Sequence, residues 1–129
     1  MKLKWNKIRG IQIDDTETYV IERWNGSCLL LVQVDNKNGH KEYRTIYSSY
    51  YMNEVKNFAN RHYTANFKIK ACKEKNHNYE FFTCPCCKKR LYSSSLVYVR
   101  NGIIAGCERN EKLEDNFIPT TLEEYLRSI

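Results

Sequence analysis

The sequence has no apolar run of transmembrane length, and its N-terminus, which carries Lys2, Lys4, Lys7 and Arg9, has none long enough for a signal peptide. The expectation is a cytoplasmic protein with no membrane partner. It also lacks a Ser/His/Asp set, a Gly-rich phosphate loop and a paired-carboxylate motif. That leaves no catalytic residue to name and favours binding over catalysis. Internal repeats and low-complexity segments are absent too. Acidic residues are sparse before the tail: residues 1–107 hold 18 Lys and Arg against 9 Asp and Glu, whereas the whole chain carries +6. A chain with this balance is no acidic mimic of DNA; its field attracts polyanions or an acidic protein surface.

What is present fits one globular body. The chain has 129 residues, 42% of them hydrophobic, with 10 Tyr and 5 Phe. A body of this size buries enough surface to fold without disulfides. In a reducing compartment its six Cys are read as thiols or metal ligands.

Periodicity places the elements. Lys4 to Ile13 and Thr18 to Trp24 read as strands separated by Asp14-Asp15-Thr16, and Asn25-Gly26 marks a hairpin into the apolar run Cys28 to Val34. His40 to Tyr47 alternates as a half-exposed strand. From Tyr50 to Tyr63 the period becomes helical, with Tyr51, Val55, Phe58, Ala59 and His62 on one face and Asn53, Glu54, Lys56, Asn57, Asn60 and Arg61 opposite. Asn66 to Cys72 alternates again and is expected to pair, antiparallel, with Tyr79 to Thr83. Leu96 to Arg100 and Ile103 to Cys107 flank Asn101-Gly102 as a second hairpin. Thr121-Leu-Glu-Glu124 is a capping box opening a short helix with Leu122, Tyr125 and Leu126 inward. The predicted fold is α+β: an antiparallel sheet with one packed amphipathic helix (1–83), a small unit carrying the second hairpin (84–110), and an acidic tail with a short C-terminal helix (111–129).

The chemistry concentrates at Cys84-Pro85-Cys86-Cys87. Two thiolates three residues apart can reach one ion at about 2.3 Å if the turn between them is tight. With Asn101-Gly102 as a two-residue turn, Cys107 lies opposite Leu96 and returns beside Cys84 and Cys87. Here the chain resembles the C-P-x-C zinc ribbons of bacterial and phage type, over residues 84–110 only. The resemblance implies a structural zinc on Cys84, Cys87 and Cys107. It departs from the family at Lys88, which replaces Gly and would need a left-handed backbone, and at Asn110, which replaces the fourth Cys. In the strand register above, Cys72 and His77 lie too far from Cys84 to ligate, which leaves His62 or the nearer Cys86 as candidate fourth ligands.

Two further readings compete. Phe81-Phe82-Thr83-Cys84-Pro85-Cys86-Cys87 is similar to the start of a glutaredoxin, which would make Cys84 and Cys87 a thiol redox pair, but no helical pattern follows. The basic residues Lys68, Lys70, Lys73, Lys75, Lys88, Lys89 and Arg90, with Tyr79, Tyr92 and Tyr98 as stacking aromatics, fit nucleic acid or a nucleic-acid-handling protein. Lys68 and Lys70 also have a plainer role as edge-protecting lysines of a strand. The alternative partner class is a host defence protein inhibited by a phage or mobile-element product.

Overall fold

The computed structural model describes residues 2–35, 41–74, 82–100, 102–107 and 119–128. Five strands form an antiparallel meander: β1 (Trp5–Ile8), β2 (Ile11–Asp14), β3 (Tyr19–Trp24), β4 (Ser27–Asp35) and β5 (Lys41–Ser49), in the spatial order β1-β2-β3-β4-β5. The expected single strand Lys4 to Ile13 is itself a hairpin. Ile8 pairs with Ile11 around Arg9 and Gly10, whose φ of 50° and 84° provide the mirror-image turn that matches strand twist. Asn25-Gly26 does the same between β3 and β4, with φ of 49° and 81°. The Asp14-Asp15-Thr16 turn is stitched by the buried Asp14 carboxylate, which accepts from the N–H groups of Thr16, Thr18 and Tyr19. β4 is internal, as its apolar run requires. A register shift at Leu30/Leu31 leaves Ile46 of β5 as an extra residue, so Tyr47 rather than its neighbour faces Leu30.

The largest departure from the sequence reading follows. One helix, α1 (Met52–Glu74), replaces both the expected shorter helix and the strand from Asn66 to Cys72. Its buried stripe is Val55, Ala59, His62, Asn66 and Ile69, spaced four, three, four and three residues apart. The alternation of Phe67, Ile69 and Ala71 that suggested a strand is incidental, because Phe67 lies on the exposed side while Ile69 is buried. The pairing with Tyr79 to Thr83 disappears with the strand; residues 79–81 lie outside the described residues. Full burial of Val55 and Ile69 stabilises by about 1.5–3 kcal/mol each.

The second sheet is β6 (Leu96–Arg100), β7 (Ile103–Cys107) and β8 (Thr120–Thr121), in the order β7-β6-β8, followed by α2 (Leu122–Ser128). The hairpin and the C-terminal helix are where the sequence places them. The Thr121 hydroxyl accepts the Glu124 N–H, and Leu122, Tyr125 and Leu126 are buried. A bulge at Tyr98/Val99 moves the register by one, so Cys107 faces Val97 instead of Leu96. Tyr98, assigned an exposed stacking role from sequence, is buried in the core cluster of the first sheet.

Helix α1 ties the two sheets together through polar side chains. The Asn66 amide pairs with both backbone groups of Ile104, its Oδ1 accepting N–H at 2.8 Å and its Nδ2 donating to C=O at 3.2 Å. One turn earlier, the Tyr19 hydroxyl of β3 meets His62 Nδ1 at 2.5 Å, and His62 Nε2 lies 3.1 Å from the Ala105 carbonyl. The carbonyl can only accept, so Nε2 carries the hydrogen and Nδ1 accepts from the phenol. The outer edge of β7 is thus closed by helix side chains in place of another strand.

Candidate metal centre

The site grows from a tight turn. Leu91 N–H bonds to Phe82 O, Thr83 bridges Arg90, Cys84 N–H bonds to Lys89 O at 2.8 Å, and Lys88 N–H returns to Cys84 O at 2.9 Å. Closing so short a loop requires one left-handed residue, and Lys88 takes it with φ 64°. This is the strained position foreseen where ribbons carry Gly. Inside the turn, the backbone N–H groups of Cys86 and Cys87 point at the Cys84 sulfur.

Cys107, at the end of β7, completes a triangle: the ligand atoms of Cys84, Cys87 and Cys107 all lie within 4.8 Å of one another. The Cys87 and Cys107 sulfurs are 3.7 Å apart. That is far beyond a disulfide length of about 2.05 Å. It matches the edge of about 3.8 Å for two sulfurs held 2.3 Å from a tetrahedral ion. Cys84 and Cys107 are buried in a shell that includes Ile69, Phe82, Leu91, Val97 and Leu122, so α1 and α2 both support the sulfurs. Such a cluster can hold a metal ion.

Neither proposed fourth ligand joins it. Both nitrogens of His62 are engaged by Tyr19 and Ala105, and the strand register that would have carried His62 toward Cys84 is helix instead. The Cys86 sulfur turns to the Ile46 carbonyl of β5 at 3.5 Å, anchoring the knuckle to the bulge of the first sheet. The ground for excluding Cys72 and His77 also goes with that register; the Cys72 side chain, His77 and Asn110 lie outside the described residues. Among the described residues, no His, Asp or Glu stands with the three thiols.

Burial pushes the Cys84 thiol well above its ordinary value, against the pull of the N–H groups of Cys87 and Cys86. A redox nucleophile needs the opposite shift, and no helix starts at the knuckle to supply it. Ionised together, three sulfurs at this spacing would repel one another unless a cation stood among them.

The basic stretch does not stay together. Lys68 on α1 and Lys88 on the knuckle converge on a groove of about 470 Å³, joined there by Arg61, which the sequence reading left on the solvent face of the shorter helix. Its signal was the spacing Arg61-x-x-Thr64-Ala65-x-x-Lys68, visible only if the helix continues. Lys70 points elsewhere, its Nζ 5.9 Å from the Phe67 ring, so it and Lys68 are not an outward row on a strand edge. Arg90 and Tyr92 line a smaller cleft with Cys107, Lys89 is exposed, and Lys75, Tyr79 and the Lys73 side chain lie outside the described residues. No helix among the described residues is long and apolar enough to cross a membrane.

Compared with known proteins, the chain matches no family model, no curated protein and no solved structure.

Proposed function

We propose that Cys84, Cys87 and Cys107 hold a structural zinc ion, as the resemblance to C-P-x-C ribbons implies, and that the chain is a non-catalytic nucleic-acid-binding protein. The observation that carries the reading is the sulfur triangle, with its 3.7 Å edge between Cys87 and Cys107. Soft thiolates in tetrahedral spacing favour zinc among the abundant divalent ions. When bound, the ion supplies the charge that keeps the three sulfurs, two buried and that of Cys87 half-buried, ionised and together. The residues around it do the rest: the Cys86 and Cys87 N–H groups orient the Cys84 sulfur, and the apolar shell excludes water. A metal so placed ties the knuckle to the end of β7, a structural role. The choice of nucleic acid as partner draws on the +6 charge and on Cys84 itself lining the groove in which three cations meet.

Two measurements test it. Protein purified without chelator should carry one zinc per chain by elemental analysis. Cobalt exchanged into it should show intense thiolate-to-metal absorption that is lost in Cys84→Ser, Cys87→Ser and Cys107→Ser and kept in His62→Gln. A metal-free protein, or one in which the Cys variants bind undiminished, rejects the centre. A partner captured from lysate and retained after nuclease treatment would replace nucleic acid by protein.

A further inference from the structure

The groove beside the knuckle has a construction that surface charge alone does not require. Its helical wall is a single stripe of α1, with Arg61 and Lys68 at the ends and Thr64 and Ala65 between them. Residues at i, i+3, i+4 and i+7 share a face, and seven residues rise about 10 Å. The small pair in the middle opens a trough between two cations. The facing wall is Thr83, Cys84 and Pro85 with Lys88, whose left-handed backbone sets where its side chain leaves the turn. Asn60 closes one end; its Oδ1 already accepts the Leu3 N–H, so only its amide donors remain for a ligand. Among the described residues, no acidic side chain lines this space and none of the three cations has a carboxylate partner.

Lys and Arg on an open surface are usually hydrated and scattered. Here three come from two segments about twenty residues apart in sequence and face one concavity of about 470 Å³ without a counter-charge among the described residues. The arrangement suits a string of anions. A strand of nucleic acid presents one charge per about 3.4 Å of rise, so a trough about 10 Å long spans more than one phosphate. A duplex is too wide to enter a space of this size, whereas one sugar-phosphate backbone can lie in it.

We infer that the groove between α1 and the knuckle is a phosphate-binding track for a single nucleic-acid strand, with Arg61, Lys68 and Lys88 as its cationic contacts. This rests on the nucleic-acid reading above and gives it a location. Contacts of this kind are to backbone phosphates, so binding is independent of base sequence and sensitive to salt. The metal centre enters as scaffold, because Cys84 and Lys88 belong to the turn that the ion would hold.

The test uses full-length, metal-replete protein and a short fluorescent oligothymidylate, with anisotropy measured across a salt series. Arg61→Gln/Lys68→Gln removes two contacts from exposed helix positions with little effect on helix propensity. Lys88 is left in place because its backbone belongs to the knuckle. Lys4→Gln/Lys7→Gln makes the same charge change on β1 and the segment before it, and circular dichroism checks that both variants fold. Loss of two single-strand phosphate contacts lowers the slope of log K against log salt by about 1.4, at 0.7 per contact. The groove variant should show that fall and the control less than half of it. Equal weakening of the two variants overturns the groove while leaving nucleic acid as partner. Absence of any binding by the wild type at low salt removes nucleic acid itself, and the groove assignment with it.

Discussion

His62 makes the fold sensitive to acid in a way that can be isolated. The imidazole is fully buried on α1, and burial lowers its pKa from 6.5 to about 4, against a smaller opposing effect of the hydrogen bond to Ala105. The neutral ring donates through Nε2 to that carbonyl and accepts the Tyr19 hydroxyl at Nδ1. A proton at Nδ1 would force the phenol hydrogen, which burial also holds on its oxygen, to turn away. Between pH 6.5 and 4 the unfolded chain therefore takes up a proton that the folded chain refuses. Stability contributed by the neutral ring is complete above the unfolded value and is lost as pH falls through this window. A displacement of that size corresponds to roughly 3 kcal/mol, lost at up to about 1.4 kcal/mol per pH unit. Carboxylates also titrate on acidification, but they are common to wild type and His62→Gln, so the difference between the two chains reports His62. Urea unfolding followed by circular dichroism at pH 7 and pH 4.5 should find wild type the more stable at neutral pH, with the gap narrowing by roughly 2 to 3 kcal/mol at the lower pH. A gap that stays constant refutes the buried neutral histidine, and with it the account of how α1 holds β7.

Two further substitutions probe the same region. Asn66→Ala leaves both the N–H and the C=O of Ile104 without their side-chain partner in a buried setting, and denaturant unfolding should show a loss of about 2–4 kcal/mol. Gly106→Ala sets a methyl 2.8 Å from the Tyr98 hydroxyl oxygen and 3.0 Å from two ring carbons, and the buried ring has little room to retreat. The expected cost is about 1–3 kcal/mol in unfolding, with weaker cobalt affinity because the strained residue adjoins Cys107.

How far the sequence discloses this protein depends on whether a residue's partners are near it in the chain. Asn25-Gly26 announces its hairpin because the left-handed angles are a property of those two residues. The Cys84–Cys87 knuckle is equally local, down to the left-handed Lys88, and so is the Thr121 cap on α2. Arg9-Gly10 adopts the same turn as Asn25-Gly26 but hides it, since Arg is not a residue that favours positive φ. The bulges at Ile46 and in β7 shift register by one residue with no signature in composition, which is why Cys107 was expected opposite the wrong partner.

The misread helix is the instructive case. Asn66 interrupts an apolar stripe, and a polar residue there argues locally for the end of the helix. Besides one local bond to the His62 carbonyl, however, its hydrogen bonds run to Ile104, 38 residues away, and those of the His62 ring to Tyr19 and Ala105, 43 residues away in either direction. A buried polar group is tolerated when its partners are supplied, and here the supply comes from the edge of β7, whose own backbone groups would otherwise need another strand. The two needs answer each other only in the folded chain. Ile104 and Ala105 precede Cys107 by three and two residues, so the clamp that makes α1 long also fixes where the third sulfur stands. The same extension brings Lys68 into line with Arg61 across from Lys88. The sulfur triangle and the cationic trough are therefore two results of one helix running past Asn66, which explains how the cysteines could be picked out from spacing while the groove beside them could not.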